Sequence, residues 1–92
     1  MIKANELSSK HYKTLIDILT VPPKSGIKWD DVKNLINNLS GKVKNGNGSR
    51  RKFILMGSVY QTHQPHPVSV MDKGAVNGLR EWFENVIGVK HD

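Results

Sequence analysis

The stretch QTHQPHPVSVMDKGA, residues 61–75, sets His63 and His66 three positions apart, each close to a proline. Histidine exchanges protons most readily near neutral pH, with an ordinary pKa of about 6.5, so two imidazoles in one loop are candidates for general acid–base work. Pro65 and Pro67 restrict the backbone on either side of His66. Two other readings stand beside this one. A His-x-x-His pair offers a metal two ligands, but the chain has no cysteine and only Asp72 is near enough in sequence to add a third, short of the four a closed site needs. The pair also fits a solvated turn whose rings cap backbone carbonyls.

Charge points to the class of substrate. Between Asp31 and Asp72 the only charged side chains are Lys33, Lys42, Lys44, Arg50, Arg51 and Lys52. Outside that interval eight basic residues face eight acids, so the whole formal excess of +6 arises in the middle of the chain. A localised positive patch attracts a polyanion, of which RNA and DNA are the commonest; a solvated face or an acidic protein partner is the alternative.

Should the polyanion be an RNA that the chain also cuts without a metal, the reaction needs a base for the 2′-hydroxyl proton, an acid for the leaving oxygen and cations for the charge that develops on phosphorus. Imidazole suits the first two roles and the permanently charged guanidinium fork suits the third. His66 and His63 are therefore the acid–base candidates and Arg50 the phosphate stabiliser. No metal or other cofactor is expected. On a strand Arg50 and Lys52 project together and Arg51 projects oppositely, so Arg50, Arg51 and Lys52 cannot all face one ligand. Lys42, Lys44 and Lys73 are further candidates for phosphate contact, although Lys42 and Lys44 equally suit a protected sheet edge. Ser49 lacks a Ser-His-Asp order around it and fits a turn better than a nucleophile. His11 and His91 receive no role.

Three amphipathic helices and a small sheet must position these residues. SSKHYKTLIDIL carries Tyr12, Leu15, Ile16 and Leu19 at helical spacing behind Ser8 or Ser9 as N-cap. Pro22, Pro23 and Gly26 then break the chain. WDDVKNLINNLSG places Trp29, Val32, Leu35, Ile36 and Leu39 on one side, with Asp30 and Asp31 in the first turn and Gly41 as terminator. KGAVNGLREWFENVIG turns Val76, Leu79, Phe83, Val86 and Ile87 inward, and Gly78 inside it invites a close packing contact. Trp29 and Trp82, at helical spacing, fit core or interface packing rather than base stacking.

Between the second and third helices KVK, RRKFILM and VYQTH read as strands. A type II′ turn at Gly57-Ser58 would pair Met56 with Val59, Leu55 with Tyr60 and Lys52 with His63. Phe53, Leu55, Tyr60 and Thr62 then share one face, assigned to the core for its aromatic area. Ile54, Met56 and Val59 on the other face leave that assignment open to reversal, or to a second cover. The class is α+β: an N-terminal helix followed by α-β-β-β-α, with a three-stranded antiparallel sheet packed on helices as in double-stranded RNA-binding domains.

Ninety-two residues suit one small compact domain, with residues 1–27 as helix and linker and 28–92 as the α-β-β-β-α unit. The absence of cysteine excludes disulfides and thiolate metal sites. MIKANELSSK contains no apolar signal core and no run is long enough to cross a bilayer, so a cytoplasmic protein is expected.

The run WDDVKNLINNLSGKVKNGNGSRRKF, then THQPHP, then DKGAVNGLREWFENVIG resembles the HicA family of bacterial toxins over roughly residues 28–88. The order is a helix, a Gly-Ser element opening a strand, a second strand ending near His and Pro, and a closing helix after Lys-Gly. The resemblance implies a dsRBD-like fold and an mRNA interferase, an endoribonuclease that inhibits translation and is neutralised by a HicB-type antitoxin. It implies mRNA and that antitoxin as partners in a heteromeric complex. Many family members carry a catalytic histidine just after the Gly-Ser; here Arg50 and Arg51 follow Gly48-Ser49. Arginine stays protonated and cannot serve as a neutral base. Either the chemistry rests on the downstream histidines, or the chain binds RNA, or a protein, without cutting.

Overall fold

The computed structural model describes residues 8–88. Ser8 opens α1 (Ser9–Leu19), its hydroxyl accepting from the His11 backbone N–H. Leu15, Ile18 and Leu19 are buried, but of the other two residues expected to face inward Tyr12 is 44% exposed and Ile16 is only half-buried, and Thr14 is buried instead. Thr14 tolerates burial because its hydroxyl donates to the Lys10 carbonyl one turn back, at 3.1 Å. Asp17 fastens the end of α1 to the proline segment through Lys13 and Lys24, at 2.8 and 3.0 Å. Partial burial pushes its carboxyl up, yet the two ammonium groups outweigh this and hold it below the ordinary value.

α2 (Trp29–Asn38) buries Trp29, Val32, Leu35 and Ile36, and Leu39 follows just past its end. Ser40, not Gly41, takes the left-handed conformation that stops the helix, with φ of 66°. Three antiparallel strands follow in the order β1 (Lys42–Asn45), β2 (Arg50–Leu55) and β3 (Ser58–His63). α3 (Lys73–Ile87) starts where the Asp72 carboxylate accepts from the Ala75 N–H at 2.7 Å, and ends at a left-handed Gly88.

α2 and α3 pack on one face of the sheet, and α1 packs on both helices, so the core lies between the helical layer and that face. The inward side chains are those of Phe53, Leu55 and Tyr60, the face the aromatic area predicts. Ring contacts run from Trp29 to Phe53 (5.2 Å between centroids), from Phe53 to Tyr60 (6.5 Å) and from Tyr60 to Trp82 (5.4 Å). The Trp82 indole N–H donates to the Ser58 hydroxyl at 2.9 Å, pinning β3 to α3. No helix among the described residues is long and apolar enough to cross a membrane.

The hairpin register differs from the expected one. Leu55 pairs with Ser58, Ile54 with Val59, Phe53 with Tyr60 and Arg50 with His63. The two-residue turn is therefore Met56-Gly57, both with positive φ (50° and 79°), a primed turn with glycine second rather than first. The slip is two residues, which preserves every face while changing every partner. Lys52 faces Gln61, and Arg50 takes the place opposite His63 that the Gly57-Ser58 turn would have given to Lys52.

Candidate active site

Residues directly opposite one another in a sheet share a face. Lys42 lies beside Ile54 and Val59, Lys44 beside Lys52 and Gln61, and Arg50 beside His63. All of these except half-buried Ile54 are exposed, and among the described residues no element covers them. The described acids Asp17, Asp30, Asp31, Asp72, Glu81 and Glu84 lie on the helices or their caps, and the sheet carries none. Lys42, Lys44, Arg50 and Lys52 enter none of the salt bridges among the described residues. Charge is thus divided between layers, and the uncovered face is uniformly cationic at its β1 edge and its Arg50 end.

At that end the β1–β2 connection folds back on β2. The Gly46 N–H donates to the Arg50 carbonyl at 2.8 Å and the Arg50 N–H to the Asn47 carbonyl at 3.0 Å. The loop and hairpin enclose a cleft of about 500 Å³ lined by Asn47, Arg50, Lys52, Gln61, Thr62 and His63, among others. The Ser49 hydroxyl contacts Nδ1 of His63 at 3.3 Å. With Nδ1 engaged, Nε2 is the nitrogen left to exchange a proton with a ligand.

Arg51 is placed differently from Arg50. It points to the other side of the strand, where Nε donates to the Gln64 side-chain oxygen at 3.1 Å. Its Nη1 donates to the Gly48 and Arg50 carbonyls at 2.9 and 2.7 Å. Arg51 therefore ties the loop to the strand end and borders the cleft, while Arg50 and Lys52 present charge to it.

The two histidines line separate clefts. His66 is exposed in a second cleft of about 400 Å³ with Ser49, Arg51, Gln64, Pro65 and Pro67. Arg51 lines both spaces. The loop that carries His66 is held at both ends: the Gln64 N–H donates to the Ser49 carbonyl at 2.8 Å, and downstream Trp29 N–H donates to Ser69 and Met71 N–H to the Ile27 carbonyl. Lys73 opens α3 and lines neither cleft, and Lys42 and Lys44 are grouped with Lys52 only by the shared face.

Ser49, read from the sequence as a turn residue, belongs to this constellation, and so does Gln64, to which the sequence does not point. Their contact continues the observed register one step past Arg50 and His63, so the correct hairpin turn was the signal needed to bring them together. Among the described residues no three His, Asp or Glu side chains converge to hold a metal ion.

Compared with protein-family models, curated proteins and solved structures, the chain matches none.

Proposed function

We propose that this protein is an endoribonuclease that cleaves RNA without a metal, on the uncovered face of its sheet. The observation that carries the reading is the pairing of Arg50 with His63 across β2 and β3 at the rim of a cationic cleft. RNA cleaves itself when its 2′-oxygen attacks the adjacent phosphorus. The proton leaves the 2′-hydroxyl, the bond to the 5′-oxygen breaks, and that oxygen takes up a proton. His63 accepts the first proton at Nε2, and the Ser49 hydroxyl, accepting from Nδ1–H, steadies the ring as it becomes charged. Arg50 and Lys52 offset the negative charge gathered on the phosphate oxygens. His66, reached where the strand passes from one cleft to the next, is the candidate for returning a proton to the 5′-oxygen.

The α-β-β-β-α order within an α+β fold and the resemblance of residues 28–88 to HicA toxins support the same reading. On it, the protein is the toxin of a toxin–antitoxin pair, acts on mRNA in the cytoplasm, and is silenced by a more acidic HicB-type antitoxin that covers the basic face. A second reading has its own support: Arg50 and Arg51 follow Gly48-Ser49 where the family carries histidine, which favours RNA binding without cleavage.

Incubating purified protein with a labelled transcript in EDTA separates the two. Cutting by the wild type, lost in His63→Ala and reduced in His66→Ala, is the expected result. RNA retained intact, with affinity falling on a log–log salt plot at a slope of about −0.7 per phosphate contacted, overturns cleavage and leaves binding. Absence of any retention at low salt overturns both.

A further inference from the structure

The second cleft has no part in the phosphate chemistry beyond its His66 wall, yet it opens directly beside it. Its polar lining combines Arg51 and Gln64 with the Ser49 and Ser69 hydroxyls and the His66 ring. Arg51 uses Nε and Nη1 within the chain, which leaves Nη2, the nitrogen adjacent to Nε on a guanidinium, as its remaining donor. Amide oxygen and nitrogen are often interchangeable in a structure, but here the assignment is forced. A guanidinium only donates, so the oxygen of Gln64 must face Arg51 and its NH2 must turn away. Arg51 and Gln64 both line the cleft, and each keeps a donor group that the chain leaves unpaired among the described residues. The rings of Pro65, Pro67 and His66 also line it.

We propose that this cleft receives one nucleobase of the bound RNA, next to the scissile phosphate, and selects guanine. The inference rests on the ribonucleic-acid reading of the neighbouring cleft. Guanine presents two acceptors side by side, O6 and N7, to match Arg51 Nη2 and the Gln64 NH2. Adenine places an amino group where O6 stands. A glutamine normally reads adenine by accepting from that amino group, but here one lone pair of the oxygen is taken by Arg51, which sets the direction the oxygen faces. About 400 Å³ leaves room for a purine together with part of its ribose. The pyrrolidine and imidazole walls give its faces something to stack on. Bracing of the loop at Gln64, Ser69 and Met71 keeps the two donors in place before RNA arrives.

The test uses the full chain and 2′-O-methyl oligonucleotides, which bind without the 2′-hydroxyl that cleavage consumes. Fluorescence anisotropy compares an oligoadenylate, the same strand with one guanosine, and the same strand with one 7-deazaguanosine, which lacks the N7 acceptor. The guanosine strand is expected to bind about tenfold tighter than oligoadenylate, with most of the gain lost on 7-deaza substitution. Gln64→Glu keeps an acceptor for Arg51 and should melt like the wild type, but it has no NH2 and should lose the guanosine gain. Gln64→Ala should lose it as well. Equal affinity for the three strands, or a gain that survives both variants, overturns guanine selection while leaving RNA binding intact. Failure to bind any strand overturns the ribonucleic-acid reading and this inference together.

Discussion

Arg50 and His63 stand directly opposite one another on β2 and β3 and leave the sheet by its uncovered face, with the Ser49 hydroxyl 3.3 Å from the imidazole Nδ1. Hairpin pairing brings a permanent cation and a proton-exchanging ring together without help from any distant segment. Arg50 is exposed and carries no hydrogen bond from its side chain among the described residues, so its removal should leave the fold intact.

On the proposed cleavage reaction, Arg50→Ala is expected to lower the single-turnover rate by about 100- to 1,000-fold, the loss typical when one preorganised charge-stabilising group is deleted. Arg50→Lys should restore binding better than rate, because an ammonium replaces the charge but not the planar fork. Lys44→Ala, two strands away from His63 on the same face, should weaken binding with little effect on the bound complex's rate. A rate for Arg50→Ala within threefold of wild type, at saturating protein, would remove Arg50 from the chemistry.

Met56 holds a left-handed backbone, φ 50°, that costs a side chain with a Cβ about 1 kcal/mol, and it is 55% exposed. Asn-Gly is the pair best suited to a turn with positive φ at both central residues. Met56→Asn should raise stability by about 1 kcal/mol, seen as a higher urea midpoint with unchanged slope. Placement of the turn at Gly57-Ser58 instead predicts no gain, because residue 56 would then lie in the strand.

The same turn marks the boundary of what the sequence makes legible. Helical spacing identifies the buried stripe Trp29, Val32, Leu35 and Ile36, and alternation identifies the Phe53 and Leu55 face, because both follow from local periodicity. Register does not follow from periodicity. A glycine beside two candidate turn positions fits either a II′ or an I′ turn, and the faces agree for both. What separates them is tertiary: the Trp82 indole donates to Ser58 and the Trp82 ring stacks on Tyr60, contacts between residues far apart in the chain. The tie between Arg51 and Gln64 was hidden for the same reason, and so was the division of His63 and His66 between two clefts.

Gly78 on α3 packs against Tyr60 so closely that a Cβ at Gly78 would stand 2.6 Å from the phenol oxygen. Gly78→Ala gains helix propensity but forces that oxygen to move, and it should destabilise the fold by about 1–3 kcal/mol. Tyr60→Phe removes the obstructing atom, and the Tyr60 hydroxyl donates to no group among the described residues. In the Tyr60→Phe background, Gly78→Ala should become neutral or stabilising, so a double-mutant cycle by urea unfolding should show coupling above about 1 kcal/mol. Additive effects of the two substitutions would place the cost of Gly78→Ala elsewhere than at the phenol.

Tyr60 also sets a limit to alkaline stability. Burial raises its phenol above the ordinary value, and the carboxylates of Glu81 and Asp72 push it further the same way. A phenol with a higher pKa when folded than when unfolded binds its proton more tightly in the native state. Its contribution is fully present below the unfolded value of about 10 and is lost as pH rises above it, through the folded value. Tyr60→Phe has no proton to lose there, and both proteins retain exposed Tyr12, so the difference between them isolates Tyr60. Urea midpoints taken from about pH 8 to about pH 11 should fall less steeply for Tyr60→Phe than for the wild type above pH 10. Parallel curves would mean that the phenol titrates alike in the folded and unfolded chains, and that its position against Trp82 and Gly78 of α3 does not disfavour the phenolate.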